Sequence, residues 1–255
     1  MNEHRTELAQ PGYQHLNEEE NKDPNFQQDD SLSLSPLTKD TQVGFMRKVL
    51  GIVAAQLTLT ALMITASMVS KPLNDYQTSS SSWWTLIVAI ILDIVVLYVL
   101  LCNRRLARKV PTNYILLGTF TVCLAWAVSF LCIKYPPADV FIAACSTAAV
   151  VIGLFFYALN CEIDFGWMCG FWIGSLVGML ALGILSIFYY SRWVMLLWTA
   201  LAILIFSAYI LIDLWMIIGK GNAGFSKDDY IVAALMLYID IMRLFLEILQ
   251  LVGNK

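Results

Sequence analysis

Three aspartates interrupt long apolar runs: Asp93 in ILDIVV, Asp213 in ILIDLW and Asp240 in LYIDIMR. Arg243 follows Asp240 by one helical turn, and Glu247 follows by another. A charge at mid-bilayer costs about 2.5–3.5 kcal/mol even on the gentler insertion scale. Three unpaired carboxylates would therefore cost roughly 8–10 kcal/mol, comparable to the whole stability of a typical domain. Such groups must be paired, protonated or in contact with water. Two carboxylates that share a low-dielectric site cannot both ionise freely, so the pair holds a proton and senses pH without histidine. Carboxylates facing a cavity are also the hard oxygen ligands that Ca²⁺ prefers. Two alternatives stand beside an ion or proton pathway: pairing with a neighbouring base to permit helix packing, and a substrate site of another kind.

The elements that must hold these residues follow from composition. Of 255 residues, 59% are hydrophobic and only 14% charged, with a mean hydropathy of +0.69. A soluble domain averages about 25% charged residues, so this chain cannot cover its surface with polar groups. Residues 1–40 hold 12 of the 35 charges, leaving 23 for the rest of the chain. Residues 1–43 read as a disordered tail, rich in Pro, Gln, Asn, Glu and Asp. Residues 44–255 read as an all-α polytopic membrane domain. The net charge of −3 arises in the tail, and no basic, aromatic-interleaved patch points to nucleic acid. Both histidines, His4 and His15, lie in the tail, which excludes a His-ligated metal site in the bilayer. Neither a nucleophile–base pair nor a metal set is visible in the spans, so no catalytic residue, cofactor or enzymatic activity is expected. The six cysteines form no CxxC pair and read as buried structural thiols. A cleavable signal peptide is not expected, because the first apolar run begins only after Arg47 and Lys48.

Seven runs approach the length needed to cross about 30 Å of hydrocarbon at 1.5 Å per residue. They cover residues 49–69, 83–102, 113–133, 138–159, 166–188, 193–218 and 230–252. Hydrocarbon offers no partner to open backbone groups, so each should be a helix. The basic residues flanking these runs divide eight to four in favour of a cytosolic N-terminus, which places the C-terminus outside or in a lumen. Trp83, Trp84, Tyr135, Tyr189, Tyr190 and Trp193 gather at the opposite edge as an aromatic belt. Depth then decides which charges can meet. Asp93 and Asp240 each lie about ten residues, roughly 15 Å, from the cytosolic edge. Asp213 lies about five residues, roughly 8 Å, from it. Arg104 marks the end of the second span and can reach inward along an apolar stem. Pairings of Asp213 with Arg104, and of Asp240 with Asp93 or Asp213, are all compatible with depth.

In the fifth span, Gly166, Gly170, Gly174 and Gly178 recur every fourth residue and form a smooth stripe for close helix approach, within the monomer or in a homodimer. In the tail, Gly12-Tyr13-Gln14-His15-Leu16 fits a tyrosine-based sorting pattern through Tyr13 and Leu16, and Ser35-Pro36 fits a proline-directed phosphorylation site.

At these residues the chain resembles the transmembrane Bax-inhibitor-motif family, in its lifeguard branch. The likeness runs through FMRKVLGIVAAQLTLT, PTNYILLGTFT, AACSTAAVV and EIDF. It is strongest at FSAYILIDLWMIIG and DDYIVAALMLYIDIMRLFLEILQLVG. The resemblance implies a seven-helix bundle with the seventh helix central. It also implies a pH-sensitive Ca²⁺ leak in endomembranes (ER, Golgi or endosome/lysosome), contributing to calcium homeostasis and negative regulation of apoptosis. Its di-aspartyl sensor, and with it the candidate Ca²⁺ contact, falls on Asp213 and Asp240, its second-span acid on Asp93, and its gating latch on Arg104, which would hold Asp213 in the closed state. Deprotonation would release the latch and let the second helix swing. Arg243 is a departure, standing where relatives carry an uncharged residue. As a possible modulator it either neutralises Asp240 at i+3, weakening the shared-proton sensor, or turns to Glu247 at i+4. The expected partners are the lipid bilayer, Ca²⁺ and protons, and apoptosis-regulating membrane proteins, with the chain a monomer or weak homo-oligomer. The rival reading is a non-conducting interaction protein that modulates death-receptor or calcium-channel partners. A seven-helix receptor is disfavoured by the short loops and the absence of an extracellular disulfide pair.

Overall fold

The computed structural model describes residues 39–160, 192–219 and 229–253, together with a few helical residues between 174 and 184. Described residues form helices and connecting turns, with no strand among them. The order is α1 (Lys39–Val69), α2 (Lys71–Thr78), α3 (Trp83–Cys102), α4 (Arg104–Arg108), α5 (Thr112–Cys132), α6 (Pro137–Asn160), α7 (Arg192–Ile218) and α8 (Tyr230–Gly253). Five of these, α1, α3, α5, α6 and α7, are long and apolar enough to cross a membrane. α8 has 24 residues but carries Asp240, Arg243 and Glu247. Most of the fifth expected span, including Gly166 and Gly170, lies outside the described residues. So do Tyr13, Leu16, Ser35 and Pro36.

Observed ends fall within a residue or so of the hydropathy boundaries, except at α1. That helix begins at Lys39, well before the apolar run at residue 49. Hydropathy marks only the segment immersed in hydrocarbon, whereas 31 residues rise about 46 Å, more than the core is thick. The first turns of α1 therefore stand in the polar region. α7 ends where Gly219 takes a φ of +81°, a left-handed conformation open to glycine, and its N–H donates to the Met216 carbonyl at 3.1 Å.

The helices differ in how much of their circumference is buried. On α1 the buried stripe is Phe45, Val49, Val53, Gln56, Thr60, Ile64 and Ser67, at spacings of three or four. α3 buries Ala89, Asp93, Val96 and Leu100 on one side and exposes Ile87, Ile91, Ile94 and Tyr98 on the other. That is the pattern of a helix at the lipid boundary, and its principal neighbour is α5. α8 is buried nearly all round and packs against α1, α5, α6 and α7, four of the five membrane-length helices.

Contacts at the helix ends show which termini share a membrane face. At one face Lys48 Nζ lies 5.7 Å from the Tyr230 ring centroid, Arg108 pairs with Asp229 at 3.0 Å, and Gln42 lies beside Gly219. At the other, Lys134 Nζ lies 5.7 Å from the Trp83 ring, Gln77 Nε2 donates to Ser129 Oγ at 2.8 Å, and Tyr135 packs on Gly253. The chain is an integral membrane protein. Trp83, Trp84 and Trp193 are exposed at the second face, while Tyr189 and Tyr190 lie outside the described residues.

The cysteines depart from the expectation of burial. Cys132 is buried, but Cys102 and Cys145 are exposed and Cys123 is partly so; all four are free thiols. Hydrocarbon tolerates a thiol on the lipid side as readily as a protein core does, so an apolar span does not reveal which way its cysteine points.

Candidate functional site

Asp213 sits on the last turns of α7, where Ile210, Ile212, Leu214 and Ile217 are all buried around it. Only 4% of the residue is exposed, and its Oδ2 has no hydrogen-bond partner among the described residues. Asp240 is partly buried on α8, the helix that packs most extensively on α7, and lies within electrostatic range of Asp213. These two carboxyl groups form the site's centre.

Arg243 lies within electrostatic range of Asp240 but forms no ion pair with Asp240 or Glu247 among the described residues. Its guanidinium carbon instead stands 5.8 Å from the ring centroid of Phe206, one helix away on α7. A guanidinium at this distance is attracted by the ring's negative face. The Oε2 of Glu247 is buried and unpartnered. Neither acid one turn away on its own helix, Asp240 or Glu247, is ion-paired to Arg243 among the described residues.

Asp93 occupies the buried stripe of α3, with Oδ1 unpartnered. It lies in electrostatic range of Cys123 on α5 and Tyr238 on α8. Tyr238 and Asp240 are two residues apart, so at 3.6 residues per turn they lie on nearly opposite sides of α8. α8 therefore presents Asp240 toward Asp213 on α7, and Tyr238 toward the side of α1, α3 and α5. Arg104 opens α4 just beyond α3; its side chain lies outside the described residues, so no latch contact with Asp213 is described.

Around these acids run interhelical hydrogen bonds that link the apolar spans. Tyr238 Oη and Thr60 Oγ1 are 2.7 Å apart, both almost completely buried. Gln56 Nε2 donates to Thr121 Oγ1 at 2.9 Å, joining α1 to α5. Tyr209 Oη and Ser175 Oγ are 2.7 Å apart. None of these residues was singled out from sequence. Their signal was present, since Gln56 and Thr60 share one face of the first span at a spacing of four.

No cluster of three His, Cys, Asp or Glu side chains able to hold a metal occurs among the described residues. Ca²⁺ takes six to eight oxygen ligands, and two carboxyl groups alone cannot supply them. Chemically, the Asp213–Asp240 pair can exchange protons or contact a passing cation. Of the glycine stripe, Gly174 and Gly178 are described, and a Cβ built on either meets no described atom within 4 Å.

The family described as "Inhibitor of apoptosis-promoting Bax1" matches residues 42–255. "Protein LIFEGUARD 4" of Arabidopsis thaliana is 34% identical over 213 residues, covering 82% of this chain and 83% of its own. "Protein lifeguard 3" of Homo sapiens is 28% identical over 215 residues, covering 83% and 68%. "Protein LIFEGUARD 1" of Arabidopsis thaliana is 30% identical over 215 residues, covering 82% and 88%.

Proposed function

The chain belongs to the transmembrane Bax-inhibitor-motif family, in its lifeguard branch, and from that premise we propose that it is a pH-sensitive Ca²⁺ leak channel of endomembranes. In this reading it is a seven-helix bundle with α8 inside a ring of six, its N-terminus cytosolic and its C-terminus lumenal. Asp213 and Asp240 exchange the gating proton and touch the passing ion. The cellular consequences are control of stored Ca²⁺ and negative regulation of apoptosis.

One observation carries the reading: two carboxyl groups on adjacent helices lie in electrostatic range, with no ion-paired base among the described residues. Acids kept only for packing would be neutralised by a partner, because an unpaired charge at this depth costs about 2.5–3.5 kcal/mol. Arg243 lies within electrostatic range of Asp240, and with its guanidinium over the Phe206 ring the carboxyl of Asp240 has no direct ion pair among the described residues. A ligand set this small suits an ion that must leave again rather than one held tightly. The lipid-boundary position of α3 supports its role as the moving element.

The test is Ca²⁺ influx into indicator-loaded proteoliposomes, compared at about pH 6 and about pH 8, on either side of a neutral switching range. Flux should rise as protons leave the pair. Asp213→Asn and Asp240→Asn should each abolish the pH dependence, and Arg243→Asn should displace it along the pH axis. Folded wild-type protein giving no flux above empty liposomes would refute the channel and favour a non-conducting partner of other membrane proteins.

A further inference from the structure

One opening on the molecule is lined by none of the aspartates. Between α1 and α5 a groove of about 450 Å³ runs from Arg47 and Lys48 past Gly51 to Leu59, with Gly118 on the facing wall. Gly51 and Gly118 lie within helices, where glycine weakens the element. A Cβ on either would meet nothing within 4 Å, so no protein neighbour requires their smallness. What their missing side chains leave is the groove itself.

The groove is a built feature. The bond from Gln56 to Thr121 clasps its two walls, and Gln56 is only 5% exposed. Its length fits one leaflet: from residue 47 to residue 59 a helix rises about 18 Å, and half a hydrocarbon core is about 15 Å. The two ends differ in character. Arg47 and Lys48 are both exposed at the membrane face that also holds the Arg108–Asp229 pair, whereas the remainder is largely apolar. One acid at that face, Asp229, is engaged by Arg108 through two bonds of 3.0 and 3.2 Å. A basic mouth above an apolar slot between transmembrane helices is complementary to a lipid with an anionic headgroup.

We infer that this groove binds an anionic phospholipid, its phosphate against Arg47 and Lys48 and one acyl chain over Gly51 and Gly118. The site is independent of ion conduction and requires only that the chain lie in a bilayer.

Native mass spectrometry of the full chain in detergent tests it, with phosphatidylserine, phosphatidylcholine and chain-free glycerophosphoserine as probes. Phosphatidylserine should be retained over phosphatidylcholine. Arg47→Gln and Lys48→Gln should each cut that preference about 5-fold, and together about 30-fold. Gly51→Leu and Gly118→Leu, which project into open space and leave both charges intact, should weaken retention of both lipids. Equal retention of the two lipids by the wild type would overturn the proposal. So would unchanged retention in the monodisperse glycine variants, which places the lipid elsewhere. Glycerophosphoserine competing as well as the whole lipid would also overturn it, because the site would then be one for a free phosphate group.

Discussion

The bond between Thr60 and Tyr238 allows a prediction in which the order of two mutational effects follows from counting protons. Thr60 has one hydroxyl hydrogen, and its Oγ1 donates to the Gln56 carbonyl at 2.9 Å. At the 2.7 Å contact with Tyr238, Thr60 must therefore accept, and Tyr238 Oη is the donor. Tyr238→Phe removes the donor and leaves Thr60 still bonded to the Gln56 carbonyl, so the loss is one hydrogen bond, about 1 kcal/mol. Thr60→Val keeps the shape but strands a phenolic hydroxyl whose residue is 0% exposed. Leaving a buried polar group unsatisfied costs about 1–3 kcal/mol, so the smaller chemical change should be the more damaging. In the double variant the stranded hydroxyl is gone, and its cost should fall below the sum of the singles by about 1 kcal/mol. The assay is a four-cornered unfolding cycle in mixed micelles, reading helical circular dichroism against denaturing detergent. Tyr238→Phe proving as costly as Thr60→Val, or simple additivity, would refute the donor assignment.

Two glycines on different helices should respond to alanine with opposite sign. Gly153→Ala in α6 adds a methyl where nothing lies within 4 Å and should stabilise by about 0.4–1 kcal/mol. Gly253→Ala drives a methyl into the Tyr135 ring and should destabilise by about 1–3 kcal/mol; thermal unfolding of both in one detergent compares them directly. Arg108→Gln should cost at most about 1 kcal/mol, because its pair with Asp229 is bidentate but partly exposed. Its deficit relative to wild type should shrink in high salt, in a thermal-unfolding series across ionic strength. Arg243→Gln removes the charge over the Phe206 ring and should cost about 0.5–2 kcal/mol, measured by the same unfolding cycle with Phe206→Leu as the partner change.

Membrane insertion and the placement of the spans were legible in the amino-acid sequence because hydrocarbon sets the rule: backbone groups must be satisfied internally, over a length fixed by bilayer thickness. The ends of α3, α5, α6 and α7 therefore follow the hydropathy runs closely, and α1 departs only where water takes over. The cost of burying charge likewise marked Asp93, Asp213 and Asp240 as the residues needing a special account. The position of each acid along its helix was readable too, since it is a count of residues along a straight rise.

Rotation about the helix axes and the choice of neighbours were not readable. Depth allowed Asp240 to meet Asp93 or Asp213; packing puts it within electrostatic range of Asp213 on α7, while Asp93 lies within electrostatic range of Tyr238, which projects from the opposite side of α8. Arg243 had two acids within a turn on its own helix, yet its guanidinium rests on Phe206, a residue 37 positions earlier. Thr60 and Tyr238 are separated by 178 positions. Every span is apolar on the lipid side and on the protein side alike, so hydrophobic patterning gives little sense of which face turns inward. In water the burial of apolar stripes orients helices; in lipid that drive between them is lost, and orientation falls to packing shape and a few polar contacts. Those contacts exist only once the helices are side by side.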